Sequence, residues 1–355
     1  METKLLLKPS DFKPTLSDWK IDGSLNPGAV RMPNGKILLM VRIAESCTRK
    51  KEGHLCPRIV LKKEYDRKRN KDNKGIIIDT HNNKTYFVFS ECILPNISHF
   101  RKVVLDDSGM KVEKISRKPD FLGLAVTSEY GVEDARIVNL EGKYAMTYVS
   151  VSDDTGVSSS LAVSDDLINW DRKGIIFQEQ NKDVVLFPEK IRGRYVALNR
   201  PETMFPFSHP AIWISYSDDL VYWGKETKIL LTRKKNSWDS NRLWAGCPPI
   251  KTEKGWLIIY HGVFVKGKGN VYNAGAALLD LKNPAKVLAR SPADKPLFAP
   301  KNDFEKFGFM NEVVFPSGIV EDFNGRDVLV YSGGADSVVS VRKISYREIF
   351  RNMGY

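Results

Sequence analysis

The residues best suited to chemistry stand in one run, Gly131-Val132-Glu133-Asp134-Ala135-Arg136-Ile137-Val138. Asp134 is its candidate proton donor. On a strand alternate side chains share a face, which puts Asp134 beside Arg136 and turns Glu133 and Ala135 away. A neighbouring guanidinium lowers a carboxyl pKa, as in a structural ion pair, whereas desolvation raises it toward the range of a general acid. Spacing alone leaves both roles open. Three further groups, Arg42, Arg200 and His261, stand at matching ends of a repeated strand pattern, where a shared fold brings them to one place. Taken one at a time, Arg200, like Arg242, also reads as an inter-blade ion-pair partner and His261 as a core histidine.

The pattern that positions them is a five-fold echo. A turn glycine precedes a short apolar strand: Gly35 leads to Arg42, Gly142 to Val149, Gly193 to Arg200, Gly255 to Gly262 and Gly325 to Ser332. The strands read ILLMV, YAMTY, YVALN, LIIYH and DVLVY, runs of β-branched and aromatic residues bounded by turn residues. Their irregular spacing argues against a solenoid. It suits the blades of a propeller, in which one strand pair recurs while loops vary. Five copies predict an all-β, five-bladed β-propeller with the strand ends converging on its central channel. A second echo leads from Ser164-Asp165-Asp166-Leu167 to Trp170 and from Ser217-Asp218-Asp219-Leu220 to Trp223. This is turn chemistry followed by an inter-blade tryptophan, and it receives no catalytic role.

Composition sets the limits. A chain of 355 residues, 42% hydrophobic and 10% aromatic, can bury a large core. No linker or low-complexity stretch divides it, so residues 1–355 are expected as a single propeller domain. Its expected attachments are an N-terminal arm at 1–25, a basic surface insertion at 49–75 and a short amphipathic helix at 343–353 with Ser345 as N-cap. No apolar run reaches the ~18 residues of a membrane span, and the first residues hold too short an apolar run for a secretory signal. Cys47, Cys56, Cys92 and Cys247 have no metal-ligand spacing, so a cytoplasmic chain with free thiols and no metal is expected. Export would allow a Cys47–Cys56 bridge. Much of the net charge of +12 lies in Arg49, Lys50, Lys51, Lys62, Lys63, Arg67, Lys68, Arg69, Lys71 and Lys74. These are mixed with Glu64, Asp66 and Asp72, and only Tyr65 among them could stack on a base, so no nucleic-acid partner is expected.

Read in order, several short runs resemble the mannoside phosphorylases and related β-mannosidases of glycoside hydrolase family 130, which are five-bladed propellers. The runs are Asn26-Pro27-Gly28-Ala29, Gly131 to Arg136, Leu186-Phe187-Pro188-Glu189-Lys190, Arg200-Pro201, Trp256 to Gly262, Tyr272 to Asp280 and Gly333-Gly334-Ala335-Asp336. The resemblance spans nearly the whole chain. It implies a β-mannoside substrate, inorganic phosphate as co-substrate with no cofactor, and reversible cleavage with inversion to α-mannose 1-phosphate. It implies Asp134 as the catalytic acid, donating its proton through a hydroxyl of the bound mannose. It places Asn26, Arg42, Arg136 and Asp336 around that mannose. Arg200, Arg242, His261 and Tyr272 fall around the phosphate, with Lys190 a further candidate for the same pocket. Ala135 in place of proline, Asn199 in place of histidine, and Trp244 and Cys247 in a usually glycine-rich stretch are departures that leave the acceptor side undefined.

The physical logic agrees with phosphorolysis. Phosphate is already an anion and a nucleophile, so one acid and a cationic cluster suffice, whereas an inverting hydrolase needs a second carboxylate to activate water. Two alternatives stand beside it. One is an inverting β-mannosidase with Glu45 or Glu202 near key positions as base. The other is a non-catalytic propeller that binds glycans or polyanions. Self-association into a homo-oligomer is compatible with each.

Overall fold

The computed structural model describes residues 1–47, 55–66, 75–79, 84–91, 94, 96–202, 207–233 and 236–355. Five antiparallel sheets follow one another around an axis as the blades of a propeller. The innermost strands of blades 1 to 5 are Trp19–Arg31, Val132–Leu140, Asn181–Leu186, Arg242–Ala245 and Val314–Glu321. The second strands are Ile37–Cys47, Lys143–Ser152, Tyr195–Pro201, Gly255–Lys266 and Asp327–Gly334. These second strands are the five sequence repeats. Their leading glycines, Gly35, Gly142, Gly193, Gly255 and Gly325, turn with φ of 85°, 82°, 79°, 150° and 64°, a region that glycine enters without steric cost.

The repeated strands are apolar throughout because each face meets a different blade. Ile37, Leu39 and Val41 pack with Leu329 and Tyr331 of blade 5, while Leu38 and Met40 pack with Ile137 and Met146 of blade 2. In blade 4, Trp256, Ile258 and Tyr260 face Val196 and Leu198 of blade 3, and Leu257 and Ile259 face Val328 and Val330 of blade 5. Alternation along a strand thus fills the five inter-blade layers in turn. The Ser-Asp-Asp turns cap two outer hairpins: Asp166 Oδ1 accepts from the amides of Ile168 and Asn169 at 2.8 and 2.7 Å, and Asp219 Oδ1 from Val221 and Tyr222 at 2.9 Å each. Trp223 then packs on Phe177 of the neighbouring blade, with ring centroids 5.6 Å apart.

The attachments differ from expectation. Glu2–Leu7 pairs with Val338–Ser345 as the outermost strand of blade 5, so the start of the chain closes the ring. Trp19 already opens the inner strand of blade 1, and the expected arm at 1–25 shrinks to the link between these strands. The C-terminal helix is Tyr346–Asn352, because the chain up to Ser345 is a blade strand; Ser345 Oγ caps it by accepting from the Glu348 amide at 3.1 Å. The insertion is larger than 49–75. Leu55–Val60, Lys84–Glu91 and Gly75–Asp79 form a three-stranded sheet between the second strand of blade 1 and its third, Ile97–Leu105. Phe87 of this sheet packs edge-on against Trp19 at 5.9 Å. Tyr65 is buried against Tyr86 at 5.1 Å, so it is a core residue of the insertion. Lys62 pairs with Asp66 at 2.5 Å. Arg49, Lys50, Lys51, Arg67, Lys68, Arg69, Lys71, Lys74 and Cys92, with the side chains of Cys47 and Cys56, lie outside the described residues. Cys247 is a buried free thiol. No helix among the described residues is long and apolar enough to cross a membrane.

Candidate active site

Three innermost strands break their pairing at the same point. Asn26-Pro27, Asp134-Ala135 and Asp183-Val184 are bulges, each lying opposite one residue of the second strand: Val41, Tyr148 and Asn199. The first residue of each bulge has positive φ, 44°, 52° and 59°. Asparagine and aspartate tolerate that region better than most side chains, and a bulge re-aims the side chain it carries. Asn26, Asp134 and Asp183 therefore leave the alternation of their strands and meet groups of neighbouring blades. Gly333 makes room for the first of them, since a Cβ there would lie 2.0 Å from Asn26 Oδ1.

Asp134 is buried, and its Oδ1 accepts from Asn26 Nδ2 at 2.9 Å and from Arg42 Nη1 at 3.1 Å. Arg42 Nη2 donates to Glu133 Oε1 at 2.6 Å and Nε to Ser98 Oγ at 2.9 Å. Glu133 is thus turned toward Asp134's partner, contrary to simple alternation, because the bulge intervenes. Burial raises the pKa of Asp134. The charge of Arg42, then that of Arg136, the Asn26 hydrogen bond and Lys182 outweigh it and hold the carboxyl below its ordinary value. Asp336, with φ of 49°, faces the same group. Burial pushes it up to about 6; Arg42 and Lys182 oppose this, and the negative charges of Asp134 and Glu133 reinforce it.

Arg136 has a different place from the one expected. Its side chain is 1% exposed and spends its donors on the protein: Nε to the Gly246 carbonyl at 2.6 Å, Nη1 to the Asp134 carbonyl at 2.6 Å and Nη2 to Asp183 Oδ1 at 3.0 Å. The guanidinium also lies 5.6 Å from the Phe315 ring. It is an axial hub that joins blades 2 to 5. Its anionic partner is Asp183 and not the Asp134 carboxylate. Burial raises the Asp183 pKa despite that partner.

A second group, Arg200, Trp244, His261 and Tyr272, gathers near the hub, whose charge acts on His261. The Arg200 guanidinium is 4.8 Å from the Trp244 ring, which stacks on Tyr272 at 6.0 Å and 9° and meets His261 at 5.1 Å. His261 also packs on Phe315 at 4.1 Å. Arg200 Nε, Trp244 Nε1 and both ring nitrogens of His261 are buried and make no hydrogen bond within the protein. Burial, with the charges of Arg136, Arg200 and Lys182, drives the His261 pKa well down, so the imidazole is neutral at pH 7. Burial raises the Tyr272 pKa, with Asp336 reinforcing and Arg242 and Arg200 opposing. Arg242 stands exposed at the rim of this cluster. Glu202 is ion-paired with Arg200.

Lys190 is not brought to the cluster. It pairs with Glu141 at 3.2 Å and lies over Tyr195 at 4.4 Å. Glu141 follows Asp134 by seven residues, roughly 20 Å along a strand. The lysine of the site is Lys182, opposite Arg200 in register, whose charge acts on Asp134, Asp183, His261 and Asp336. Sequence reasoning missed Lys182, Asp183 and Glu133; aligning the inner strands on Asn26, Asp134 and Asp183 was the signal that could have found them. Glu45 is removed from the site, buried against Arg101 at 3.3 Å and the Thr15 amide at 2.8 Å. A cavity of about 1110 Å³ between the inserted sheet and the outer edge of blade 2, lined by Tyr86, Asp120, Trp170 and Arg172, contains none of the candidate residues. Among the described residues no cluster of His, Cys, Asp or Glu has the arrangement of a metal site.

Residues 96–354 match the family described as beta-1,4-mannooligosaccharide phosphorylase, glycoside hydrolase family 130. Similar relatives include a beta-1,2-mannobiose phosphorylase of Listeria innocua serovar 6a, 33% identical over 99% of this chain and 97% of the relative. A 1,2-beta-oligomannan phosphorylase of Thermoanaerobacter sp. (strain X514) is 43% identical over 62% of this chain and 70% of the relative. Among solved structures, the Listeria innocua beta-1,2-mannobiose phosphorylase in complex with beta-1,2-mannobiose superimposes with a TM-score of 0.83 at 29% identity, covering 100% of this chain and 99% of that one. The five-bladed architecture and these matches together place the chain in glycoside hydrolase family 130.

Proposed function

We propose that this protein is an inverting glycoside phosphorylase that cleaves a β-mannoside with inorganic phosphate to give α-mannose 1-phosphate, reversibly, and that its substrates carry β-1,2 linkages. The linkage follows the names of the relatives that cover most of the chain. The observation that carries the reaction type is the cluster of Arg200, Trp244 and His261, whose buried polar atoms find no partner in the protein. A buried donor left unpaired costs about 1–3 kcal/mol, so the Arg200 and Trp244 N–H groups and the single N–H of neutral His261 are best understood as donors for an anion. Arg200, Arg242, His261, Tyr272 and Lys182 hold the phosphate in this reading, and Asn26, Arg42 and Asp336 hold the mannose.

Asp134 is ionised in the free enzyme. Phosphate placed on the cationic side adds negative charge to the site and draws Lys182 and Arg200 to itself, which raises the Asp134 pKa. The mannose shields the carboxyl from water in the same sense. Protonated Asp134 then passes its proton through a sugar hydroxyl to the departing oxygen, while phosphate attacks the anomeric carbon from the opposite face. A hydrolase needs a free base. Glu45 is tied to Arg101 and Glu202 to Arg200, which favours phosphate as the nucleophile. A cytoplasmic setting accords with a phosphate co-substrate. The test is a panel of β-mannobioses of different linkage with and without phosphate. Mannose 1-phosphate from the β-1,2 isomer is expected, and phosphate-independent release of mannose would replace this reading with the hydrolase.

A further inference from the structure

Resting on that reading, we propose that Phe307, Phe309 and Met310 form the platform for the leaving-side sugar, the acceptor in synthesis. Phe307 and Phe309 are 67% and 63% exposed and Met310 36%. An exposed apolar cluster of this kind in a soluble chain marks a binding surface. It is held in place with care. Asp303–Lys306 forms a short helix whose Glu305 is fully buried, ion-paired with Arg342, and accepts from the amides of Lys301 and Asn302 at 2.9 and 3.0 Å. The segment that follows is tied to the site at both ends. The Phe309 amide donates to Ser337 Oγ at 2.9 Å and the Met310 amide to the Ala335 carbonyl at 3.1 Å, on either side of Asp336. The Tyr272 amide donates to the Glu312 carbonyl at 2.9 Å. Gly308 lies flat on the Asp336 loop, where a Cβ would come within 2.4 Å of the Ala335 carbonyl.

The placement selects the occupant. Inversion sends the leaving group away from the phosphate, and the two rings are anchored to the Asp336 end of the segment, the sugar end. Phe307 to Met310 carries no charge, which fits a neutral pyranose whose C–H face stacks on an aromatic ring. Three side chains are too few for a stable subunit contact, which takes about 20–30 residues a side.

The test is synthesis from α-mannose 1-phosphate with mannose or β-1,2-mannobiose as acceptor. The Phe307→Ala/Phe309→Ala double variant is expected to raise the acceptor KM about tenfold, the scale of lost aromatic contacts, and to leave the KM for α-mannose 1-phosphate within about twofold. Phe309→Trp, which keeps a stacking surface, is expected to retain the wild-type acceptor KM. An unchanged acceptor KM in an active double variant overturns the platform. So does a double variant whose mass by light scattering falls from that of an oligomer, which assigns the face to a second copy. Wild-type enzyme that makes no product from α-mannose 1-phosphate defeats the phosphorylase reading itself, a distinct outcome that removes the platform with it.

Discussion

Replacing Arg136 with methionine tests the hub at the centre of the propeller. The change keeps much of the side-chain length and removes three polar contacts: to the Gly246 carbonyl, the Asp134 carbonyl and Asp183 Oδ1, at 2.6, 2.6 and 3.0 Å. Asp183, 1% exposed like its partner, is left as an uncompensated buried carboxylate. Breaking such a pair from one side costs about 3–5 kcal/mol, whereas removing both charges together costs much less. We expect Arg136→Met to lose that amount in equilibrium urea unfolding followed by tryptophan fluorescence, and Arg136→Met/Asp183→Asn to recover at least ~2 kcal/mol of it. The pH dependence has a definite sign. Without Arg136 the folded-state pKa of Asp183 rises further above its unfolded value, so the native state takes up a proton that the unfolded chain lacks. Lowering the pH from 8 to 5 then narrows the deficit of the single variant, whereas the double variant, with no carboxyl at 183, shows no such narrowing. A single variant within about 1 kcal/mol of wild type, or a double variant no better than the single, would refute the hub.

Three further outcomes follow. Asp134→Asn should keep the fold and lose at least ~100-fold in turnover, the usual scale for a general acid; near-normal turnover in a folded variant removes Asp134 from the chemistry. Arg242→Ala should raise the KM for phosphate more than that for the mannoside, while Lys190→Ala, whose ammonium is held by Glu141, should change neither; steady-state kinetics at varied phosphate decides. Asp336→Asn should be the more stable protein at pH 7 to 8 by about 3 kcal/mol. The wild-type carboxyl is raised to about 6, so its ionised form costs stability above that pH. The advantage should fade as the pH falls through 6 toward 4, and a difference independent of pH in thermal unfolding scans would contradict this.

The blades were legible in the sequence because each second strand repeats the same turn, a glycine at positive φ before an apolar run buried on both faces. The candidate role of Asp134 was read from its motif. Its surroundings were less so, since strand alternation fails at a bulge. Reading 133 to 136 as a regular strand paired Asp134 with Arg136 and turned Glu133 away, whereas the bulge opposite Tyr148 sends Glu133 and Asp134 together to Arg42 and Arg136 to Asp183. The same device hid Lys182 and Asp183, which precede and open the bulge of blade 3 in a run, Asn181 to Leu186, with no obvious motif. Lys190 misled because nearness along the chain is not nearness in space: by Lys190 the inner strand of blade 3 has run away from Arg200 to the opposite end of the blade. The insertion exceeded its expected bounds because only its charged half stands out in composition, while its strands read like any others.

The central claim is that phosphate is the nucleophile and that it attacks with inversion. It is tested most directly by following wild-type enzyme on β-1,2-mannobiose in phosphate by phosphorus and proton magnetic resonance, with a phosphate-free control. The account predicts that the α anomer of mannose 1-phosphate appears in step with loss of the disaccharide, together with one equivalent of mannose, and that the control stays unreacted. Equal cleavage in the control, with mannose as the sole product, would contradict it.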